Sequence, residues 1–375
     1  MQIPWSKLYF DDDELNNVIE VVKSRWVSTG PKVEEFERRL ADYVGVKYAI
    51  AVSSGTAALD IALKILGITP EDEVIIPAMT YIATANAVSY QNATPVFADI
   101  DPKTYTIDPA DIESRITSRT KCIIPVDYAG HAADYDRIEK IARQHNLCIV
   151  EDGAPGLCGQ YKDRMLCSFG DMAITSFHVA KIFTTVEGGM IFTDNKEYYE
   201  KARIIRWQGE DPNHKYHHPL VGFNYRMTDL HAAIGLAQTS PRRIEKVLAS
   251  RLQAADYYQA RLKGIPSVTL PYVSPDCVHP WFLFPILIPN RDNIQQYLLD
   301  KDIKANVSWP LVIYRQEPYR KFKKTPCPVS ERITSEVLCL PLFYQISREE
   351  QDYVVEQLLA GMEKFGTINA ENLPA

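Results

Sequence analysis

Short apolar runs rich in β-branched residues alternate along the chain with longer stretches whose apolar positions recur every three or four residues. The short runs have the length and composition of strands, and the longer ones have the period of amphipathic helices. Tyr48-Ala-Ile-Ala-Val reads as a strand; Ser53-Ser-Gly-Thr follows it and leads into an amphipathic run from Ala57 to Leu66. Glu73-Val-Ile-Ile-Pro reads as a second strand, a helix from about Ile82 to Tyr90 comes next, and Thr94-Pro-Val-Phe-Ala-Asp is a third strand. Lys121-Cys-Ile-Ile-Pro-Val is the fourth, followed by a helix over Asp134 to His145, and Leu147-Cys-Ile-Val-Glu-Asp is the fifth. Asp171-Met-Ala-Ile-Thr-Ser-Phe and Gly189-Met-Ile-Phe-Thr-Asp are the sixth and seventh. Strands apolar on both faces, alternating with helices, predict a mainly parallel sheet covered by helices on each side.

Beyond this region the pattern changes. Asp229 to Lys263 is long and helical, with a break at Ser240-Pro-Arg because proline is poorly tolerated inside a helix. From Gly264 the pattern is α+β: Val268-Thr-Leu, Trp281-Phe-Leu-Phe-Pro-Ile-Leu-Ile, a helix near Asp292–Asp300 and a last helix from Ser347 to Phe365. A boundary within the long helix, near residue 245, divides the chain into a large α/β domain (1–245) and a smaller C-terminal domain (246–375). At roughly 150 residues per domain, 375 residues suit that division.

Composition narrows the class. Hydrophobic residues make up 46% and charged residues 24%, as in an ordinary globular protein. No apolar stretch reaches the roughly 18 residues of a membrane span. The 41 Lys+Arg against 48 Asp+Glu give a net charge of −7, and Lys321-Phe-Lys-Lys-Thr is only a short basic patch, so nucleic acid is not the expected partner. Met1-Gln-Ile-Pro-Trp-Ser-Lys-Leu lacks the apolar core of a secretory signal. The seven cysteines are scattered without a C-x-x-C pair, which reads as reduced thiols in a cytoplasmic protein and not as a disulfide framework or a metal site. HExxH, GxxxxGK[ST] and GxGxxG are all absent, against a zincin, a P-loop NTPase and a dinucleotide-binding domain.

Three segments could carry chemistry. Ser53-Ser54-Gly55-Thr56 follows a strand and opens a helix, where free backbone amides and the helix dipole bind phosphate; the same residues also serve as plain helix caps. Glu151-Asp152 ends an apolar strand at the carboxyl edge where open α/β sheets bind ligands, and either acid could instead cap the next helix or be solvated. Thr175-Ser176-Phe177-His178-Val179-Ala180-Lys181 leaves another apolar strand ahead of Glu187-Gly-Gly. A desolvated lysine there is a candidate amine nucleophile, while a surface lysine is the commoner case. Together, a phosphate cradle, a carboxylate and a reactive amine on one sheet are what pyridoxal phosphate requires.

Seven motifs extend this. Trp26-Val-Ser-Thr-Gly-Pro, Ser53-Ser-Gly-Thr-Ala-Ala-Leu, Ile76-Pro-Ala-Met-Thr-Tyr-Ile-Ala-Thr-Ala-Asn, Pro95-Val-Phe-Ala-Asp-Ile, Ile149-Val-Glu-Asp, Ser176-Phe-His-x-x-Lys with Glu187-Gly-Gly, and Gly222-Phe-Asn-Tyr-Arg-Met-Thr-Asp-Leu occur in that order. The chain resembles the DegT/StrS-type sugar aminotransferases of the aspartate-aminotransferase (fold-type I) pyridoxal-phosphate superfamily. The resemblance implies a three-layer large domain with a mainly parallel mixed sheet and a smaller α+β domain. It implies Lys181 as the residue that bonds the cofactor and shuttles the proton, and Asp152 as partner of the pyridine nitrogen. It places Tyr81 on the ring, Ser54, Gly55, Thr56 and Ser176 around the phosphate, and Asn224 at the phosphate of a neighbouring subunit, hence a homodimer with shared sites. The implied substrates are a nucleotide-linked keto sugar, aminated at C4 of a 4-keto-6-deoxyhexose, and L-glutamate as donor. Thr29, His178, Arg226 and Trp309 are the candidate substrate contacts, with Tyr314 beside Trp309 as a further cover for the base. Two departures stand out: Pro155 replaces the usual Gln or His three residues after Asp152, and Ile303-Lys-Ala-Asn-Val-Ser-Trp309-Pro lacks the Thr-Arg often found there. The alternatives are another pyridoxal-phosphate reaction on a sugar or cyclitol (C3 or inosose amination, dehydration) and a non-catalytic regulator of the same fold.

Overall fold

The computed structural model describes residues 1–322 and 325–368; Lys323 and Lys324 of the basic patch lie outside the described residues. A seven-stranded sheet runs in the order Tyr48–Val52, Gly189–Thr193, Met172–Ser176, Cys148–Asp152, Thr120–Ile123, Glu73–Pro77, Thr94–Ala98. Gly189–Thr193 is antiparallel to both of its neighbours, and the other strand pairs are parallel.

Side chains alternate between the faces of a strand, and two packed layers result. Ile50, Val52, Val74, Ile76, Val150, Ile174 and Ile191 face the helix Gly55–Ile65, which is buried along nearly its whole length. Ala49, Ala51, Ala173, Met190 and Phe192 face the opposite way, onto the helix Pro31–Val44 and the helix Asp229–Gln238. Ile75, Ile123 and Ile149 on that same side meet the helix Tyr135–His145. Helix, sheet and helix form the three layers expected of an α/β fold of this kind.

Remote side chains fix the layers to one another. Asp229 accepts from the amides of Gly30 (2.8 Å), Lys32 (3.2 Å) and Val33 (3.0 Å), so a residue nearly 200 positions away caps the helix Pro31–Val44. The break expected at Ser240-Pro is real: Asp229–Gln238 and Pro241–Leu262 are separate helices. Pro241 opens the second, where its missing N–H costs no hydrogen bond.

A second core joins Tyr258, Phe284, Ile286, Leu338, Leu340, Leu358 and Met362. Its frame is the antiparallel pair Phe284–Leu287 and Val337–Leu340, flanked by the helices Pro241–Leu262, Arg291–Asp300 and Arg348–Lys364. Two segments cross the expected line at residue 245. Ile3 is buried in this second core and bridges to Ile303. Val312, Ile313, Tyr314 and Tyr319 pack into the core of the large sheet. All seven cysteines are free thiols. Among the described residues no helix is long and apolar enough to cross a membrane, and no group of three or more His, Cys, Asp or Glu is placed to hold a metal.

Candidate active site

Asp152 is the last residue of its strand, and the sheet carries it into the interior, 5% exposed. Its carboxylate is held from the helix Ile82–Tyr90: Thr84 Oγ1 donates to Oδ2 at 2.9 Å, and Thr84 itself is hydrogen-bonded to Thr80 Oγ1 at 3.0 Å. The amide of Ala154 donates to Oδ1 at 3.3 Å. Burial raises the Asp152 pKa, and the Thr84 hydrogen bond and the charge of Lys181 oppose that rise. Strand alternation sends the neighbouring Glu151 the other way, onto the amides of Cys167 and Phe169.

Lys181 lies past the end of the strand Met172–Ser176, in a turn closed by its own amide donating to the His178 carbonyl at 2.9 Å. The residue is half-buried by surface area, yet its amine is desolvated. Burial pulls its pKa down to about 8, with Asp152 acting against the fall. The amine sits 4.5 Å from the centre of the Phe282 ring. Phe282 is fixed in turn by buried Arg251, which donates to the carbonyls of Trp281 (2.8 Å), Phe282 (2.9 Å) and Leu342 (3.1 Å). A small cavity of about 40 Å³ opens at Lys181, lined also by Trp5, Tyr9, Arg251, Phe282 and Tyr344. A far larger cavity, about 1020 Å³, lies elsewhere, between Thr29 and Trp207, and contains neither Lys181 nor Asp152. Chemistry and not size therefore locates the site.

The cradle follows from backbone packing. Ser54 caps the helix Gly55–Ile65, its Oγ accepting from the Ala57 amide at 3.1 Å. The amides of Gly55 and Thr56, in the first turn, have no acceptor within the helix. A Cβ on Gly55 would come within 3.0 Å of Ser176 Cβ, and one on Gly189 within 2.4 Å of the Ser54 carbonyl. Gly189 leaves no room for a side chain and Gly55 little, and this close packing of the three segments brings Ser54, Gly55, Thr56 and Ser176 together. A helix N-terminus with two serines and a threonine, a desolvated amine and a buried carboxylate form a donor set that fits pyridoxal phosphate.

The other expected residues divide. Tyr81 is half-exposed just beyond the strand Glu73–Pro77 and packs on Trp309, ring centres 5.0 Å apart. Asn224 is exposed, and its segment runs along the edge strand: Ser53 donates to the Tyr225 carbonyl at 2.8 Å, and Val52 bridges to Arg226. Arg226 stacks on Trp207 at 4.6 Å. His178 is exposed, with Nε2 3.8 Å from Glu187 Oε1. Thr29 is committed to the Met227 carbonyl at 2.7 Å and borders the large cavity, away from Lys181. Tyr314 corrects an expectation: it is 1% exposed and packs in the sheet core beside Phe97, because Val312 and Ile313 pull its turn inward. Thr84 and Phe282 were not foreseen. Thr84 stands four residues after Thr80 on the turn beyond a strand end, a spacing that would have flagged it; nothing local marks Phe282.

Comparison with known proteins gives one consistent result. The profile of the DegT/DnrJ/EryC1/StrS aminotransferase family matches residues 9–359. The GDP-perosamine synthase of Caulobacter vibrioides is 40% identical over 357 residues, covering 93% of this chain and 95% of that protein. The dTDP-3-amino-3,6-dideoxy-alpha-D-galactopyranose transaminase of Aneurinibacillus thermoaerophilus is 37% identical over 337 residues, covering 90% and 92%. The structure of Spr1654 from Streptococcus pneumoniae in its PLP-form superposes with a TM-score of 0.91 at 30% identity, covering 97% of this chain and 99% of that one.

Proposed function

The chain belongs to the DegT/DnrJ/EryC1/StrS aminotransferase family and is a pyridoxal-phosphate-dependent aminotransferase, and from that premise we propose that it moves an amino group from L-glutamate to a nucleotide-linked keto sugar. The observation that carries the reading is the pairing of a desolvated lysine amine with a buried, hydrogen-bonded aspartate at the carboxyl edge of the sheet, beside a phosphate cradle. The names of the relatives support a sugar nucleotide as acceptor, though they differ in nucleotide, GDP in one and dTDP in the other. One of them names an amine on C3. For this chain we favour C4 of a 4-keto-6-deoxyhexose, on the Ser176-Phe-His-x-x-Lys181 and Glu187-Gly-Gly forms of its motifs.

When bound, pyridoxal phosphate supplies an electron sink for carbon–hydrogen cleavage next to nitrogen. The protein's part is positioning and proton transfer. Ser54, the amides of Gly55 and Thr56, and Ser176 hold the phosphate. Asp152 supplies the negative charge that keeps a proton on the ring nitrogen, and Thr84 fixes the direction of that carboxylate. Tyr81 covers the ring face. Lys181 takes a proton from the donor's α-carbon and returns one to the sugar carbon; a pKa of about 8 suits an amine that must do both near neutrality. Asn224, exposed on its own chain, reaches the phosphate of a second copy, which makes the active unit a homodimer. His178, Arg226 and Trp309 contact the sugar nucleotide. Pro155 has no side-chain donor, so this site holds the cofactor without the contact that Gln or His would give.

The test is a panel of GDP-, dTDP- and UDP-linked 4-keto-6-deoxysugars offered with glutamate and read by product mass. An amino sugar formed with one equivalent of 2-oxoglutarate supports the reading. Release of water without amine incorporation would replace it with a dehydratase.

A further inference from the structure

Behind Asp152, on the far side of its strand, two more carboxyls are buried completely: Asp127 and Glu151, both 0% exposed. They are tied to Asp152 through the backbone. Asp127 donates its amide to the Asp152 carbonyl at 3.2 Å, and Asp152 donates to the Pro125 carbonyl at 2.9 Å. Asp127 Oδ1 accepts from the Ala133 amide at 3.1 Å and from the Tyr135 hydroxyl at 2.8 Å. Glu151 accepts from the amides of Cys167 and Phe169, one on each oxygen. Every carboxyl oxygen of this pair is accounted for except Asp127 Oδ2, which is buried and meets no donor among the described residues.

What Asp127 does face is the Glu151 carboxyl, and the two interact directly. Two carboxylates offer only lone pairs, so a bond between them exists only if one carries a proton. Among the described residues, no cation is one of the main influences on either group. The remaining titratable neighbours are the Tyr135 hydroxyl and the thiols of Cys167 and Cys277, which burial keeps protonated, and the Asp152 carboxylate itself. Three adjacent carboxylates against one lysine would be prohibitive in so buried a place. Burial accordingly holds Glu151 well above the carboxylate range and pushes Asp127 up to about 7.

The loop after Asp152 leans on this pair. A Cβ on Gly156 would meet Asp127 Oδ2 at 2.8 Å, and one on Gly153 would meet Glu151 Oε1 at 3.4 Å. The Gly153 carbonyl is held by the Thr175 hydroxyl at 3.3 Å. This is the loop in which Pro155 stands where relatives of this type carry a side-chain donor.

We propose that Asp127 and Glu151 share a single proton, and that this carboxyl–carboxylate bond positions the end of the strand and the Gly153–Gly156 loop so that Asp152 keeps its charge toward Lys181. Asp127 and Glu151 are positioning residues: neither touches the cofactor position. The consequence for Asp152 rests on the reading of the site given above, whereas the shared proton does not.

Infrared difference spectroscopy of the full-length protein, wild type against each variant, tests the proton directly. At pH 7 the wild type should show the carbonyl stretch of a protonated carboxylic acid, and Asp127→Asn and Glu151→Gln should each lose it. Asp127→Asn keeps the acceptor for Ala133 and Tyr135 and puts a permanent N–H where the proton was. A buried pair that keeps one proton when folded holds a proton that the unfolded chain gives up in the ordinary carboxylate range, so stability falls as pH rises above that range. Asp127→Asn should therefore flatten the fall in Tm between pH 5 and 7 that the wild type shows. Absence of the acid band from the wild type at pH 7, or a band left intact by both variants, overturns the proposal. Should the aminotransferase assignment fail instead, the band and the pH slope would persist in a protein that does not aminate sugars.

Discussion

Glu151 and Asp152 are consecutive residues of one strand, yet they belong to two different electrostatic regions. On the side of Asp152 the carboxylate is aimed by a threonine hydroxyl and opposed by a lysine amine. On the side of Glu151 the dominant charged neighbour is a second acid, and backbone amides take up the oxygens. Both regions are buried, so the cost of desolvation is common to them. What differs is the compensation: a countercharge on one side and a proton on the other. A countercharge leaves the carboxylate available for chemistry, whereas a shared proton neutralises a charge and leaves a structural tie. The same burial that makes the first region reactive makes the second rigid.

The largest expected effect comes from removing the cation. Lys181→Ala should lower transamination by about 10⁴-fold or more, because among the described residues Lys181 is the amine whose charge acts on Asp152. Steady-state rates with glutamate and the accepted sugar nucleotide would show it, and a variant within tenfold of wild type would contradict the assignment. Asp152→Asn preserves the shape and the Thr84 contact but removes the charge. Turnover should fall by about 10²–10³-fold while pyridoxal phosphate still binds through its phosphate, as equilibrium dialysis would report. Near-normal rates in that variant would move the essential charge to another group.

The subunit question gives the next effect in size. If Asn224 reaches across an interface, Lys181→Ala and Asn224→Ala are each inactive but complement in a mixed dimer, one of whose two sites has both residues intact. Equimolar mixing with subunit exchange should recover about a quarter of wild-type activity. No recovery after demonstrated exchange would mean that each site is built from one chain. Smaller still is Thr84→Val, which removes one hydrogen bond to a carboxylate. A loss of about 1.5–3 kcal/mol in transition-state stabilisation, roughly 10- to 100-fold in kcat, is expected.

The smallest effect concerns stability. A lysine pKa depressed from 10.5 to about 8 means that the folded state holds fewer protons than the unfolded chain between those values, so stability rises with pH across that window. In cofactor-free protein, Lys181→Met should be more stable than wild type at pH 7. The gap should close between pH 8 and 10.5 in thermal melts, and a gap independent of pH would show that the amine is not desolvated.

Much of the architecture was legible because it rests on local pattern. Tyr48–Val52, Glu73–Pro77 and the helix Ile82–Tyr90 run where the apolar spacing placed them. The reversed direction of Gly189–Thr193 was not readable, since a wholly buried apolar run carries no mark of strand direction. Two N-terminal helices, Asp12–Ser24 and Pro31–Val44, went unread because charge dominates their surface and only a narrow stripe is apolar. At the site, the clustering of Lys181, Asp152 and the Ser54–Thr56 cradle could be anticipated from motifs on successive strand ends. Thr84 is 68 residues from the carboxylate it binds, and the Asp127–Glu151 contact joins two different strand ends. Such pairs are products of sheet order, which no local spacing encodes. Tyr314 was misplaced for the same reason: its burial depends on a turn folding back onto a sheet more than 200 residues earlier in the chain.

The central claim is that Lys181 is the amine over Asp152 that bonds the cofactor. Borohydride reduction of the pyridoxal-phosphate-loaded protein, followed by peptide mapping, addresses it most directly. A single reduced adduct on Lys181, absent from Lys181→Ala, is the predicted result. An adduct on any other lysine, or none in a protein that retains activity, would contradict it.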